Sequence, residues 1–70
     1  MPLNVVIGQK WATWVPGRRQ WLLATVIGRE ARTIVLKFDS RYGIKAGEDE
    51  ARADEATMLS TVNRFRFIEV

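Results

Sequence analysis

Apolar and polar residues alternate along this chain in short blocks separated by turn chemistry, the pattern of a strand-rich protein. Gln9-Lys10-Trp11-Ala12-Thr13-Trp14-Val15 is rich in Trp, Thr and Val, with Gly8 before it and Pro16-Gly17 after it. Pro presets φ for the second position of a turn, and Gly accepts a positive φ at the third. Gln20-Trp21-Leu22-Leu23-Ala24-Thr25-Val26-Ile27 follows and is closed by Gly28; Gly28-Arg29-Glu30-Ala31-Arg32 reads as a second polar turn. Thr33-Ile34-Val35-Leu36-Lys37-Phe38-Asp39 is a third β-branched run. Two hairpins in series predict a three-strand meander. Two of its runs are nearly continuous apolar stretches, which implies burial on both sides or strong curvature, as in a small barrel.

The period of two assigns faces. Trp11 and Thr13 share one side of the first strand, Ala12 and Trp14 the other; Ile34, Leu36 and Phe38 lie opposite Val35 and Lys37. Lys37 marks the wetter side, so Ile34 and Leu36 are predicted core. Near the end, Arg64-Phe65-Arg66-Phe67 alternates cleanly, which predicts a half-buried strand with both Phe inward and both Arg outward. Its expected partner is the N-terminal run Asn4–Ile7. Between these segments, Glu48 to Leu59 lacks Pro and Gly and has high helix propensity. Acids cluster at its start, where a helix dipole favours them, and Glu48 and Arg52 have i,i+4 spacing. Two readings follow: a three-turn helix presenting Ala56, Leu59 and Val62 to the core, or an acidic loop with a helical turn near Ala56–Ser60. The second is preferred, because short Ala-rich acidic segments are marginal as isolated helices.

Seventy residues make one domain, 1–70. A single core in so small a chain supplies only ~3–5 kcal/mol. Cysteine and histidine are both absent, which removes disulfides, thiolate metal sites and the commonest general base and zinc ligand. Met1-Pro2-Leu3-Asn4 lacks a basic leader region and Val5-Val6-Ile7 is too short for a signal-peptide apolar run. A cytoplasmic location and no membrane partner are therefore expected.

Charge changes the picture. The net is +3, but Glu48, Asp49, Glu50, Asp54 and Glu55 are concentrated in residues 48–55 with only Arg52 among them. The rest of the chain carries ten bases against three acids, a net of +7, and eight of all eleven bases are Arg. That polarity favours an anionic partner on the basic side.

Catalysis finds little to stand on. Ser40, Ser60 and the threonines have no histidine to activate them. Five of eight carboxylates sit in one acidic run, without the environments that push two pKa values apart. No Gly-rich phosphate loop occurs, and Glu48-Asp49-Glu50 lacks the ligand spacing of a calcium loop. No enzyme activity, cofactor or metal is expected. The aromatic set is more informative: Trp11, Trp14, Trp21, Phe38 and Tyr42 fall in or beside the meander. Exposed rings beside an acid hold cations, and the same rings with neighbouring Arg stack nucleobases; buried, they simply fill the core.

The runs Ile7-Gly8-Gln9-Lys10-Trp11-Ala12-Thr13-Trp14, Trp21-Leu22-Leu23-Ala24-Thr25-Val26-Ile27 and Val35-Leu36-Lys37-Phe38-Asp39-Ser40-Arg41-Tyr42-Gly43 together resemble Tudor domains over roughly residues 7–43. The resemblance implies an SH3-like (Tudor-like) small barrel of about five strands, mainly β, with a short helical element before the last strand. It also implies an aromatic cage at Trp14, Phe38 and Tyr42 with Asp39 as counter-charge, closing on a methylated Lys or Arg. Leu22 stands where that family usually has an aromatic, and Trp21 is one place early, hence on the opposite face.

The sequence therefore leads to a non-catalytic recognition module with candidate ligand-binding residues Trp14, Trp21, Phe38, Asp39 and Tyr42, taking a cationic peptide. Two alternatives stay open. One is a nucleic-acid-binding barrel whose Arg18, Arg19, Arg29, Arg32, Arg41, Arg64 and Arg66 contact phosphates. The other is a protein–protein adaptor or an oligomer with Trp in its interface.

Overall fold

The computed structural model describes residues 4–60 and 63–70. Met1-Pro2-Leu3, read above for a leader, and Val62, expected to face inward, lie outside the described residues. Five strands, β1 (Lys10–Val15), β2 (Gln20–Glu30), β3 (Thr33–Phe38), β4 (Glu50–Asp54) and β5 (Phe65–Glu69), form one antiparallel sheet in the order β4-β3-β2-β1-β5. A turn of 3-10 helix, Ser40–Tyr42, follows β3, and a short helix α1 (Glu55–Ser60) precedes β5. The protein is thus mainly β with one short helix. The sheet is open: β4 and β5 each form a ladder on one side only among the described residues.

The meander stands as the pattern predicts. Trp11 pairs with Ala24 and Thr13 with Leu22 across β1–β2, and Val26 pairs with Leu36 across β2–β3. These residues form the inner face, where Trp11, Leu22, Ala24, Val26, Ile34 and Leu36 are buried. β2 is long enough to serve two neighbours. Its first half lies against β1 and its second half against β3, with a bulge at Ile27 between the paired Val26 and Gly28. Such a bulge adds twist and lets one strand bend between partners. Phe65 and Phe67 do turn inward, and the Trp11 and Phe67 rings meet edge to face at 5.6 Å. Buried Met58 of α1 completes the core, worth about 1.5–3 kcal/mol for a side chain of that size.

Three expectations are corrected. The last strand pairs with β1 rather than with Asn4–Ile7. That N-terminal run is a plug instead of a strand, because β5 already occupies the free edge of β1. Val5 is buried in the core, its N–H donates to Glu55 and its carbonyl accepts from Arg29. Gln9 holds the same run from inside: its Oε1 accepts from the Trp11 indole and from Val6 N–H, and its Nε2 donates to the Asn4 carbonyl. Of the two readings of residues 48–59, the three-turn helix does not form. The preferred helical turn near Ala56–Ser60 does, as α1, but the acidic stretch before it is a strand and not a loop. Residues 50–54 are β4, with Ala51 opposite Leu36 and Ala53 opposite Ile34, and helix begins only at Glu55. Glu48 and Arg52 accordingly do not share a helix face. Finally, the left-handed residue of the first turn is Arg19 (φ 51) and not Gly17.

Candidate functional site

Alternation that buries Trp11 puts Trp14 on the opposite, outer face, and the β1–β2 register sets it directly across from Trp21. Both indoles are half-buried, with centroids 5.6 Å apart and planes at 62°. Because β5 adds to β1 with Ala12 opposite Arg66, Arg66 also stands on this face, and its Cζ lies 4.2 Å from the centroid of the Trp21 ring. A guanidinium over an indole at that distance is a cation–π contact. The Arg64 carbonyl accepts the Trp14 N–H at 2.8 Å, so β5 is fixed against the same residue. Below the Trp pair lies the row Ala12–Leu23, then Lys10–Thr25–Lys37, where the Lys10 ammonium donates to the Thr25 hydroxyl at 3.4 Å.

The turn joining the two Trp strands carries Arg18 and Arg19, both exposed and without an ion pair among the described residues. Arg18 N–H donates to the Val15 carbonyl and Arg19 N–H to that of Pro16, which leaves Arg19 in a left-handed conformation that L-residues avoid. Cations thus converge on the outer Trp pair. Acids accompany the lysine row: Glu50 of β4 stands opposite Lys37, Asp49 lies 4.0 Å from the Lys37 ammonium, and Glu69 of β5 stands opposite Lys10.

The five residues nominated for a cage are only partly brought together. Trp14 and Trp21 meet on the outer face, and Trp21 is on the opposite side of β2 from buried Leu22, as its place one position earlier implies. Asp39 joins their face: its N–H donates to the Leu23 carbonyl, continuing the β2–β3 ladder one step past Phe38. Its carboxylate is already committed. Oδ1 accepts the Arg41 N–H at 2.9 Å and stands 3.1 Å from Arg41 Nε. The Arg41 backbone N–H first, then its side chain, holds the Asp39 carboxyl below the usual aspartate range, with Lys10 adding to the effect. Tyr42 has a structural task, since its hydroxyl accepts the Leu23 N–H at 2.7 Å. Phe38 turns the other way: paired with Ala24, it packs against the core.

Among the nominated arginines, Arg29 is a clamp. It makes two hydrogen bonds to Glu55 and one each to the Val5 and Ala31 carbonyls. Arg41 serves Asp39, and Arg32 is exposed beside the β2–β3 turn, far along the sheet from the Trp row. Arg18, Arg19 and Arg64 are exposed near the Trp pair, and Arg66 lies over Trp21. Sequence reasoning missed Lys10 and Lys37 here. The same alternation that groups Ala12 with Trp14 would have found Lys10, but Arg66 over Trp21 required knowing that β5 docks on β1.

Among the described residues no group of three acidic, His or Cys side chains converges to hold a metal, and no helix is long and apolar enough to cross a membrane. Among the described residues no enclosed pocket is present. Comparison with family models, curated proteins and solved structures finds no match to this chain.

Proposed function

We propose that this protein is a non-catalytic recognition module that binds nucleic acid on the outer face around Trp14 and Trp21. The observation that carries this reading is the company the two indoles keep. Arg66 lies on Trp21, and Arg18 and Arg19 occupy the adjoining turn. Aromatic faces bordered by guanidinium groups suit a ligand that presents flat bases and phosphates. A methylated cationic peptide is less well served. It needs an available carboxylate, whereas Arg41 neutralises Asp39.

The scaffold fits an SH3-like, Tudor-like barrel. Supporting that finer reading are the strand order, the bent β2 shared by two neighbours, the helical turn before the last strand and the return of β5 to β1. The inner face is taken up by packed side chains, which leaves the outer face and the turns to a ligand.

The test is fluorescence anisotropy with a labelled oligonucleotide over a range of salt. Affinity should fall linearly on a log–log plot, and Arg18→Gln should lower the slope by about 0.7–0.9 if that residue meets one phosphate. Binding of a methyl-arginine peptide with no response to the oligonucleotide would overturn the assignment.

A further inference from the structure

We infer that this protein grips nucleic acid by its phosphates, at the end of the sheet that carries the β1–β2 turn, without regard to base identity, and so holds a duplex more tightly than a single strand. This rests on the nucleic-acid reading above. Of the two features that reading allows, flat bases and phosphates, it assigns the grip to the phosphates.

Charge is sorted by position along the strands. No acid occurs among residues 1–29 or 56–68, so β1, its turn and β2 as far as Arg29 carry none. Glu69 stands at the far end of the β1–β5 ladder from the turn, opposite Lys10. Asp39, whose N–H reaches the Leu23 carbonyl, has its carboxylate held by Arg41. Glu48 and Asp49 lie on the other side of β3, where the Asp49 carbonyl accepts the Phe38 N–H. Arg18, Arg19 and Arg64, by contrast, are exposed and make no ion pair among the described residues. The turn carries the first two. The third is brought to the same end by β5, because the Arg64 carbonyl accepts the Trp14 N–H one step beyond the pair Thr13–Phe65. Three guanidinium groups therefore border one end of the β1–β2 hairpin with no acid to neutralise them, a field that draws anions.

Bases find less to hold them. Stacking of unpaired bases needs open ring faces. Arg66 lies on Trp21 and has a further partner, so that ring face is covered and Arg66 is not counted with the three. Trp14 is half-buried with its ring set against Trp21 at 62°, Phe38 packs against the core, and the Tyr42 hydroxyl takes the Leu23 N–H. The indole pair then serves as an apolar floor for the sugars, beside phosphates that the arginines hold. Base edges fare no better. The major groove is read by an inserted helix or a two-stranded ribbon. Here α1 has six residues and lies against the inner face through buried Met58, and β1 and β2 are flanked by β5 and β3 instead of projecting as a free ribbon.

Phosphates remain, and a B-form duplex presents one about every 1.7 Å along its axis, twice the density of one strand. Side chains that use charge alone gain from that density, through release of the counterions it condenses.

The experiment follows the anisotropy of labelled DNA on the full chain. The probes are a hairpin with an A·T-rich stem, one with a G·C-rich stem, and a single strand of the same length. The two hairpins should bind within about twofold of each other, short of the roughly 5- to 150-fold that one bidentate base contact supplies. The single strand should bind more weakly than either. Duplex affinity should fall about 40-fold between about 50 and 200 mM salt, the loss that three phosphate contacts imply. Arg64 lends only its backbone carbonyl to the ladder, so Arg64→Gln should keep the fold and lower the log–log salt slope by about 0.9 on both hairpins alike. If that variant fails to fold, the three probes on the unmodified protein decide. A single strand that binds more tightly than the hairpins, or a preference for one stem as large as a base contact supplies, overturns the inference and leaves the nucleic-acid reading standing. If no probe binds at low salt, the reading and the inference fall together.

Discussion

Arg29 and Glu55 meet through two near-parallel hydrogen bonds, Nη2 to Oε1 at 2.6 Å and Nη1 to Oε2 at 2.7 Å. The pair joins the far end of β2 to the first residue of α1. Because Glu55 also accepts the Val5 N–H, and Arg29 also donates to the Val5 carbonyl, the N-terminal plug is tied to the same point. Planar bidentate geometry of this kind is what arginine offers and lysine does not.

The clamp gives stability an acid-side pH dependence. Hydrogen bonding from Arg29, then from the Val5 N–H, holds the Glu55 carboxyl below its ordinary value of 4.5. A carboxylate whose folded pKa is depressed binds fewer protons folded than unfolded between the two values. Its contribution is therefore fully present above the ordinary glutamate value and is lost as pH falls through the folded one. Asp39, also held low, acts in the same direction. Urea unfolding midpoints should be flat at neutral pH and drop in acid, and Glu55→Gln should lower the neutral midpoint while reducing the acid drop. An unchanged acid profile in Glu55→Gln would show that the clamp contributes nothing.

Tyr42 completes the β2 ladder where β3 ends. At the pair Leu23–Asp39 the Asp39 N–H reaches the Leu23 carbonyl, but the chain then turns into the 3-10 helix, and the Tyr42 hydroxyl takes the Leu23 N–H in place of a backbone carbonyl. Gly43, left-handed at φ 64, closes that turn by donating to Ser40. Tyr42→Phe should leave the Leu23 amide without its acceptor and cost about 1–2 kcal/mol. The Leu23 amide should also exchange faster with solvent than in the unmodified protein. Unchanged exchange there would mean that the hydroxyl bond is not formed in solution.

Much of this was legible along the chain because it depends on local alternation. The inward set Trp11, Ile34 and Leu36, the outward Trp14 and the inward Phe65 and Phe67 all follow from a period of two. The same period groups Phe38 with Ile34 and Leu36, so its role in the core was available, and the resemblance to a cage motif pulled the other way. What could not be read is non-local. Glu50-Ala51-Arg52-Ala53-Asp54 has poor strand propensity, and it is a strand because its two alanines fit over Ile34 and Leu36. Nothing near Arg66 in the sequence announces Trp21. Their meeting depends on β5 choosing the edge of β1, which the packing of half-buried Phe67 on buried Trp11 decides.

The tryptophans should separate cleanly in mutagenesis. Trp11 is fully enclosed and donates its indole N–H to buried Gln9 at 3.1 Å. Trp11→Ala should cost ~3–5 kcal/mol and unfold a domain of this size. Trp14 is only half-buried and belongs to the outer face, so Trp14→Leu should preserve the fold while reducing oligonucleotide affinity. Thermal melts with anisotropy titrations distinguish the two, and a Trp14→Leu variant that binds normally would remove this residue from the site.

Arg19 sets stability against binding in a single residue. A non-glycine side chain at φ 51 strains the backbone, at a cost on the order of 1 kcal/mol relative to glycine. Gly17, two positions earlier, does not take that conformation, so the strain falls on an exposed arginine next to the Trp pair. Packing does not explain its presence there, because the side chain points to solvent and makes no ion pair among the described residues. Arg19→Gly should raise stability by about 1 kcal/mol, since glycine adopts the left-handed region freely. If Arg19 meets a phosphate, the same change should weaken oligonucleotide binding and lower the salt slope by about 0.7–0.9. Arg19→Lys, which keeps the charge and the strain, separates the two effects: it should leave stability unchanged and retain most of the salt slope. Should Arg19→Gly stabilise the fold and bind as before, the strained arginine has no part in phosphate recognition, and the anion-binding surface ends at the Trp pair.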